Sequence, residues 1–315
     1  MRLARALEEG LEISGPILVR HPQIETDLSA LPGCVIETPD ILVADHFRAT
    51  HTVNPESHAD YAAVLIVMPR SKDLARDLIA SSWILAPMII VDGQKTDGID
   101  SIWRACRGRA DVEGSVTRAH GRLFWMTGSA EDFADWFYVP PDAYGFTLAP
   151  GVFSADGIDP GSYALAEVLP ERFDGPVIDL GAGWGYLSAV AEVRGAPDID
   201  MVEANAMALA CAEANTQHAR AHWADATRWK PADKAAHVIM NPPFHEGRRG
   251  APDLGRAFIA NAASCLTPQG TLWMVANRHL PYEDVLATHF SKVTDLQGPP
   301  GSGGYKLFQA TRPKR

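Results

Sequence analysis

The stretch PVIDLGAGWGYLSAV, residues 176–190, limits the possible folds of this chain more than any other. A short apolar run leads directly into three glycines, Gly181, Gly183 and Gly185, separated by single residues. A segment with helical patterning follows and ends at Gly195. Strand, glycine turn and helix in this order belong to α/β folds with parallel strands. The glycines permit positive φ, so a ligand can come close to the amides at the helix start. Nicotinamide, flavin and methyl-donor sites all use such a turn.

The text after it continues the alternation. IDMVEAN (199–205) reads as a second strand with Glu203 near its tip. A carboxylate about twenty residues beyond the glycines can accept both hydroxyls of a ribose. HWADA (222–226) reads as a third strand, and Asp225 at its end can accept a hydrogen bond from an adenine amino group. AAHVIMN (235–241) and TLWMVAN (271–277) give a fourth and a fifth, with a helix from Asp253 to Leu266 between them. Two closing strands are expected near 292–297 and 305–311. Seven strands with intervening helices predict an α/β, doubly wound, Rossmann-like sheet.

The first half repeats the grammar without the turn. AAVLIVMP (62–69), PMIIVDG (87–93) and RLFWMTG (122–128) read as strands, with helices at 71–84 and 97–106. VMPRSKDL stands where a nucleotide-binding loop would sit, and it has no glycine. Residues 137–162 are rich in Pro, Gly and aromatics and lack helical periodicity. The predicted organisation is an α/β domain over 1–136, a linker over 137–152 and a catalytic domain over 153–315.

Composition excludes several classes. The uncharged apolar run Leu78–Val91 is short for a bilayer and contains Pro87, so no membrane association is expected. The start, MRLARALEEG, carries charges where a signal peptide needs an apolar core, which points to the cytoplasm. Cys34, Cys106, Cys211 and Cys265 are scattered without a CxxC pair, so neither zinc nor disulfides are expected. The net charge of −11 argues against broad nonspecific binding to nucleic acid. Residues 1–150 hold 13 basic and 21 acidic side chains, so the first half carries most of that excess. Local basic patches remain: Arg104, Arg107 and Arg109; Arg248 and Arg249; Arg312, Lys314 and Arg315. Two fused domains suggest a monomer.

MNPPFHEG (240–247), at the end of the fourth strand, resembles the Asn-Pro-Pro-aromatic motif of amino-group methyltransferases, and that resemblance implies its chemistry. Two prolines end the strand, because proline has no amide proton for the ladder. An exocyclic amine on a base is a weak nucleophile, since its lone pair is delocalised. Its reactive geometry is favoured when both N–H groups are accepted. The side-chain oxygen of Asn241 offers one acceptor and the carbonyl of Pro242 another. The prolines fix φ, so the acceptors are preorganised. Phe244 gives a flat face for a base to stack on. His245 shapes the loop or touches the substrate.

Asp179 stands before the glycines, and D-L-G-x-G-x-G differs from the dinucleotide form G-x-G-x-x-G. It resembles the first motif of class I S-adenosylmethionine-dependent methyltransferases, where the leading acid helps order the loop around the donor's methionine part. Asn-Pro-Pro-Phe resembles the motif of amino-group methyltransferases. FSADGIDPGS (153–162), VIDLGAGWGYLS (177–188), NPPFHEG (241–247) and VANRHLPYEDVL (275–286) together resemble the ribosomal RNA guanine-N2 methyltransferases of the RsmC/RlmG type. The resemblance covers about half the chain. It implies S-adenosylmethionine as donor and a guanine N2 in rRNA as acceptor, with 16S rRNA of the small subunit preferred on overall resemblance. It implies that Asp179, Gly181, Gly183, Gly185, Glu203 and Asp225 line the donor site. Asn241, Pro242 and Phe244 would hold a flipped base, and His245, Arg278 and His279 would lie near it. Asp159 and Ser162 would close the donor pocket. The first half would be a degenerate copy of the same fold, with DGQKTDGIDS (92–101) as its matching segment. Guanine in 23S rRNA, adenine N6 and a protein glutamine amide are other acceptors for such a loop. A noncatalytic RNA-binding or assembly factor is the reading from a different class.

Overall fold

The computed structural model describes residues 2–56, 60–141, 144–243, 245–246, 249–250 and 252–314, with backbone alone at 245, 246, 249, 250 and 252. The chain divides into two compact units, Met1–Pro140 and Pro141–Arg315.

In the first unit the elements are α1 (Arg2–Glu8), β1 (Ile17–Arg20), β2 (Val35–Glu37), α2 (Ile41–Arg48), β3 (Thr52–Val53), β4 (Ala63–Val67), α3 (Lys72–Ser82), β5 (Met88–Gln94), α4 (Ile99–Cys106), β6 (Asp111–Arg118) and β7 (Gly121–Thr127). The second unit continues with α5 (Pro160–Val168), β8 (Val177–Leu180), α6 (Tyr186–Val193), β9 (Ile199–Glu203), α7 (Ala206–Asn215), β10 (Arg220–Trp223) and β11 (Ala235–Met240). It closes with β12 (His245–Glu246), β13 (Arg249–Gly250), α8 (Pro252–Cys265), β14 (Leu266–Asn277), α9 (Glu283–His289), β15 (Phe290–Leu296) and β16 (Tyr305–Pro313).

Each unit holds one seven-stranded sheet, and the two share an order. The first runs β3-β2-β1-β4-β5-β7-β6 and the second β10-β9-β8-β11-β14-β16-β15. In both, the two strands of the last-placed hairpin run antiparallel, one to the other and the inner one also to its neighbour β5 or β14, and the remaining pairings are parallel. The expected α/β doubly wound fold is therefore present twice. The catalytic-half strands fall close to the expected segments. In the first unit, β1, β2, β3 and β6 were not anticipated. Three of them have only two to four residues, and β6 alternates exposed and half-buried positions without an apolar run.

Residues 137–152 are less independent than a linker. Leu148 and Val152 are buried with Trp184, Ala208 and Cys211 of the second unit. Asn215 ties the stretch down: its amide donates to the carbonyl of Thr147 (2.9 Å) and its Oδ1 accepts from the Thr147 N–H (2.7 Å). VMPRSKDL also has a different place from the one expected. It follows β4, whereas the counterpart of the glycine turn is the segment after β1, starting His21-Pro22-Gln23.

The second sheet is covered on both faces, which is why β8 and β11 are nearly all apolar. Ile178, Leu180, Val238 and Met240 pack under Phe258, Ile259 and Ala262 of α8. Val177, Met201 and Ile239 pack under Leu165, Leu187 and Leu209 of α5, α6 and α7. Each aliphatic side chain so buried contributes about 1.5–3 kcal/mol. The strand order reverses between β8 and β11, which are neighbours. At such a point the loops leaving adjacent strand ends part to opposite faces and open a crevice. The glycine turn leaves β8 and Asn241-Pro242-Pro243 leaves β11, so this crevice receives both motifs.

Candidate active site

The glycine turn curls over the end of β9. The N–H groups of Gly181 and Ala182 donate to the carbonyl of Val202 at 2.8 and 3.1 Å. All three glycines have positive φ. Gly185 caps α6 at φ +89, and a Cβ there would lie 2.8 Å from the Cα of Ala212. Only glycine allows α6 and α7 to approach this closely. Gly183, at φ +56, would meet nothing within 4 Å and faces open space. Trp184 is buried, with Phe146 tilted against it at 5.1 Å.

Glu203 holds the turn. Its Oε2 accepts from the Gly183 N–H at 2.8 Å and its Oε1 from the Asn205 N–H at 2.9 Å. These two bonds orient the acid at the tip of β9, beside the glycine turn. Asp225 is organised differently. Its Oδ1 accepts from both the N–H and the Oγ of Thr227, at 2.8 and 2.6 Å, and its backbone carbonyl accepts from Trp229.

Asp179 is wholly buried beneath the turn. Its Oδ2 accepts from Ser188 Oγ at 2.7 Å, and its Oδ1 has no partner among the described residues. Burial pushes its carboxyl up to about 7, and the nearby Glu203 charge adds to the rise. The folded chain thus keeps a proton on Asp179, between about pH 4 and 7, that the unfolded chain has lost. Stability falls as pH rises through that window, and the whole penalty is present above about pH 7. Asp179→Asn is therefore expected to raise the melting temperature at pH 8, and the gain should shrink towards pH 5. Thermal melts at the two pH values check this; a gain that is larger at pH 5 would contradict it.

On the opposite lip, α5 begins at Asp159. Asp159 Oδ2 caps the helix by accepting from the Ser162 N–H at 2.8 Å, and Pro160 occupies the first helical position, where no N–H is needed. Asn241 reaches across from β11. Its amide nitrogen donates to Asp159 Oδ2 at 2.9 Å and to Ser162 Oγ at 2.8 Å. Phe153, Asp159, Ser162, Gly181, Gly183 and Asn241 line one cleft. Pro242 is buried and Pro243 exposed.

The other expected site residues are distributed as follows. Phe244 lies outside the described residues. The backbone of His245 pairs with Gly250 in the ribbon of β12 and β13. Arg278 is engaged with its own chain: Nη2 donates to the carbonyl of Tyr305 at 2.9 Å and its N–H to that of Gly304 at 2.9 Å. His279 beside it is exposed. Of the first basic patch, Arg109 is paired with Asp135 at 2.6 Å and Arg107 lies over the Trp103 ring. Arg248 and Arg315 fall outside the described residues. All four cysteines are free and buried. Among the described residues, no helix is long and apolar enough to cross a membrane. Sequence reading missed Trp184 and Tyr186 as cleft residues and missed the Asp159–Asn241 link. The Asp-Pro-Gly-Ser string does announce a capped helix, but not what else the cap holds.

The family model for the methyltransferase small domain matches residues 143–309. The ribosomal RNA small subunit methyltransferase C of Shewanella sp. (strain MR-4) is 30% identical over 271 residues, 80% of this chain and 78% of that one. Its counterpart in Hahella chejuensis is 29% identical over 293 residues, 86% of this chain and 83% of that one. Among solved structures, a T. thermophilus 16S rRNA N2 methyltransferase, RsmC, in complex with AdoMet and guanosine, superposes with a TM-score of 0.78 at 22% identity. The match covers 97% of this chain and 90% of that one, so the two-unit fold is shared throughout.

Proposed function

This chain belongs to the methyltransferase small domain family and, within it, to the ribosomal RNA small subunit methyltransferase C group, and from that membership we propose that it methylates the exocyclic N2 amine of a guanine in 16S rRNA, with S-adenosylmethionine as donor. The observation that carries the reading is the single cleft at the ends of β8 and β11. It sets an open glycine turn on one side and a fixed carboxamide on the other. The donor supplies a methyl group already activated as a sulfonium.

What the chain adds is position and hydrogen bonding. Gly183 leaves space for close approach to the backbone, and Glu203 stands beside it to accept ribose hydroxyls. Across the cleft, Asn241 Oδ1 and the Pro242 carbonyl accept the two N–H groups of the amine. That holds the nitrogen lone pair out of the base plane and towards the methyl group. Alignment of this kind supplies a large part of the rate for an activated donor. Phe244 would cover the base face. The first unit, without a glycine turn after β1, is assigned as a degenerate copy of the fold. The working species is taken to be a monomer in the cytoplasm.

Glu203→Ala removes the carboxylate and strands the Gly183 and Asn205 N–H groups. It should weaken donor binding by roughly tenfold to a hundredfold, since hydrogen bonds to a charged acceptor contribute about 1.5–3 kcal/mol each. Turnover at saturating donor should stay close to that of the parent. Calorimetry and a donor titration of the rate separate the two, and an unchanged Kd would remove the assignment.

The function is tested with radiolabelled S-adenosylmethionine, free 16S and 23S rRNA and both ribosomal subunits. Labelled N2-methylguanosine from 16S rRNA or the small subunit is expected after digestion. Label in 23S rRNA, in N6-methyladenosine or in protein would transfer the reading to that acceptor. Donor binding without transfer to any of them would favour a noncatalytic role.

A further inference from the structure

Asn241 is not held by its own loop. Its amide nitrogen is gripped by two residues that precede it by 82 and 79 positions, Asp159 and Ser162 at the start of α5. The chemistry of that grip is one-directional. An ionised carboxylate only accepts hydrogen bonds, so the group facing Asp159 has to be the NH2 of the carboxamide and not its oxygen. The carboxamide is planar. Fixing its nitrogen therefore fixes Oδ1 on the far side, and no described residue donates to that oxygen.

The grip itself is rigid. Asp159 Oδ2 also accepts from the Ser162 N–H, so the carboxylate cannot turn without uncapping α5. Ser162 is buried. Between them, Gly161 lies so tight that a Cβ would fall 2.9 Å from the Tyr305 ring and 3.0 Å from Asp159 Oδ2. Such a contact would push the acid off its position. Helix cap, buried serine, glycine and the edge of β16 thus converge on the orientation of one amide.

We propose that Asp159 and Ser162 are positioning residues that aim the oxygen of Asn241 at the acceptor amine, and that the Asp159 charge makes asparagine obligatory at 241, where aspartate cannot substitute. This rests on the assignment of Asn241 as the amine acceptor. An aspartate at 241 would bring two carboxylates to hydrogen-bond distance, and like charges that close cannot both remain ionised in place. One would turn away, or a proton would be shared between them.

The polarity can be reversed by design, which separates this role from simple capping. In Asp159→Asn the amide oxygen accepts from Ser162 and from Asn241 as the carboxylate does, and asparagine caps a helix as well as aspartate. That variant should keep kcat within about threefold. Asp159→Ala should lose about tenfold to a hundredfold in kcat. Asn241→Asp should lose about a hundredfold or more at pH 8 and regain part of it as pH falls and a proton is shared. Combining Asp159→Asn with Asn241→Asp lets the new amide donate to the new carboxylate. The one Asp159 oxygen that faces Asn241 also accepts from the Ser162 N–H, so this variant gives up the cap, and activity should recover in part, to about tenfold above Asn241→Asp alone. The losses should appear in kcat at saturating donor, with donor Kd measured beside it by calorimetry on the full chain.

Equal loss by Asn241→Asp in both backgrounds would overturn the proposal, as would parental kcat in Asp159→Ala. So would a parallel loss of donor binding, which would reduce the contact to structure. The grip can also be read without any acceptor. In full-length protein labelled with 15N-asparagine, the Asn241 carboxamide protons should exchange slowly in the parent and in Asp159→Asn, and rapidly in Asp159→Ala. Fast exchange in the parent would overturn the proposal. A parent that transfers no methyl to guanine while keeping slow exchange would instead indict the acceptor assignment.

Discussion

Asn241→Ala is expected to lower the rate of methyl transfer by about a hundredfold to a thousandfold, the cost of deleting one preorganised polar group aimed at a reacting centre. The substitution removes the oxygen that accepts an N–H of the target amine. It leaves Gly181, Gly183 and Glu203 untouched on the other side of the cleft. Donor affinity should therefore change little, and the loss should appear in kcat more than in KM for the donor. Asp159 and Ser162 would each lose a hydrogen-bond donor. Some stability goes with them, roughly 1–3 kcal/mol. Single-turnover rates with saturating RNA, set beside calorimetric donor binding, check the split. A mutant that turns over like the parent would remove Asn241 from the chemistry. A mutant that loses donor binding as well would place it in the donor site.

Gly185→Ala is expected to have the largest effect on the donor site itself. The residue sits at φ +89, where an L side chain is strained, and its Cβ would press on the backbone of Ala212 at 2.8 Å. Backbone cannot swing aside as a flexible side chain would, so α6 and α7 must part. Backbone strain and overpacking each cost about 1–3 kcal/mol. The turn that would carry the donor is the first part of the structure to move. Donor binding should fall by more than a hundredfold, with a clear drop in the melting temperature. Gly183→Ala is the matched comparison. It shares the positive φ but has open space around the position, so its stability cost should be only about 1 kcal/mol. Any larger loss of donor affinity there reports contact with the ligand. Comparable melting temperatures for the two variants would contradict the packing argument.

The catalytic half was largely legible because its signals are local. β8, the glycine turn and α6 occupy one continuous stretch, 177–193, and two prolines after Asn241 mark a strand end unambiguously. The sheet order follows from crossover rules once the strands are known. What stayed hidden was either short or distant. β2 and β3 have three and two residues, too few for an alternation to register. β6 lies at the sheet edge, with polar residues and a register shift opposite Trp125, so it has no apolar run. Residues 144–152 look like a linker because proline and glycine break their periodicity, yet Leu148 is fixed through Asn215, far along the chain. The link between Asp159 and Asn241 spans 82 residues and depends on where α5 packs, which no local pattern encodes.

The measurement that tests the central claim most directly is made on the product. 16S rRNA from cells lacking the gene is compared by nucleoside mass spectrometry with rRNA from cells restored with the parent or with Asn241→Ala. One N2-methylguanosine should be missing without the gene, return with the parent and stay missing with Asn241→Ala. An unchanged N2-methylguanosine content in the absence of the gene, or its return with Asn241→Ala, would contradict the account.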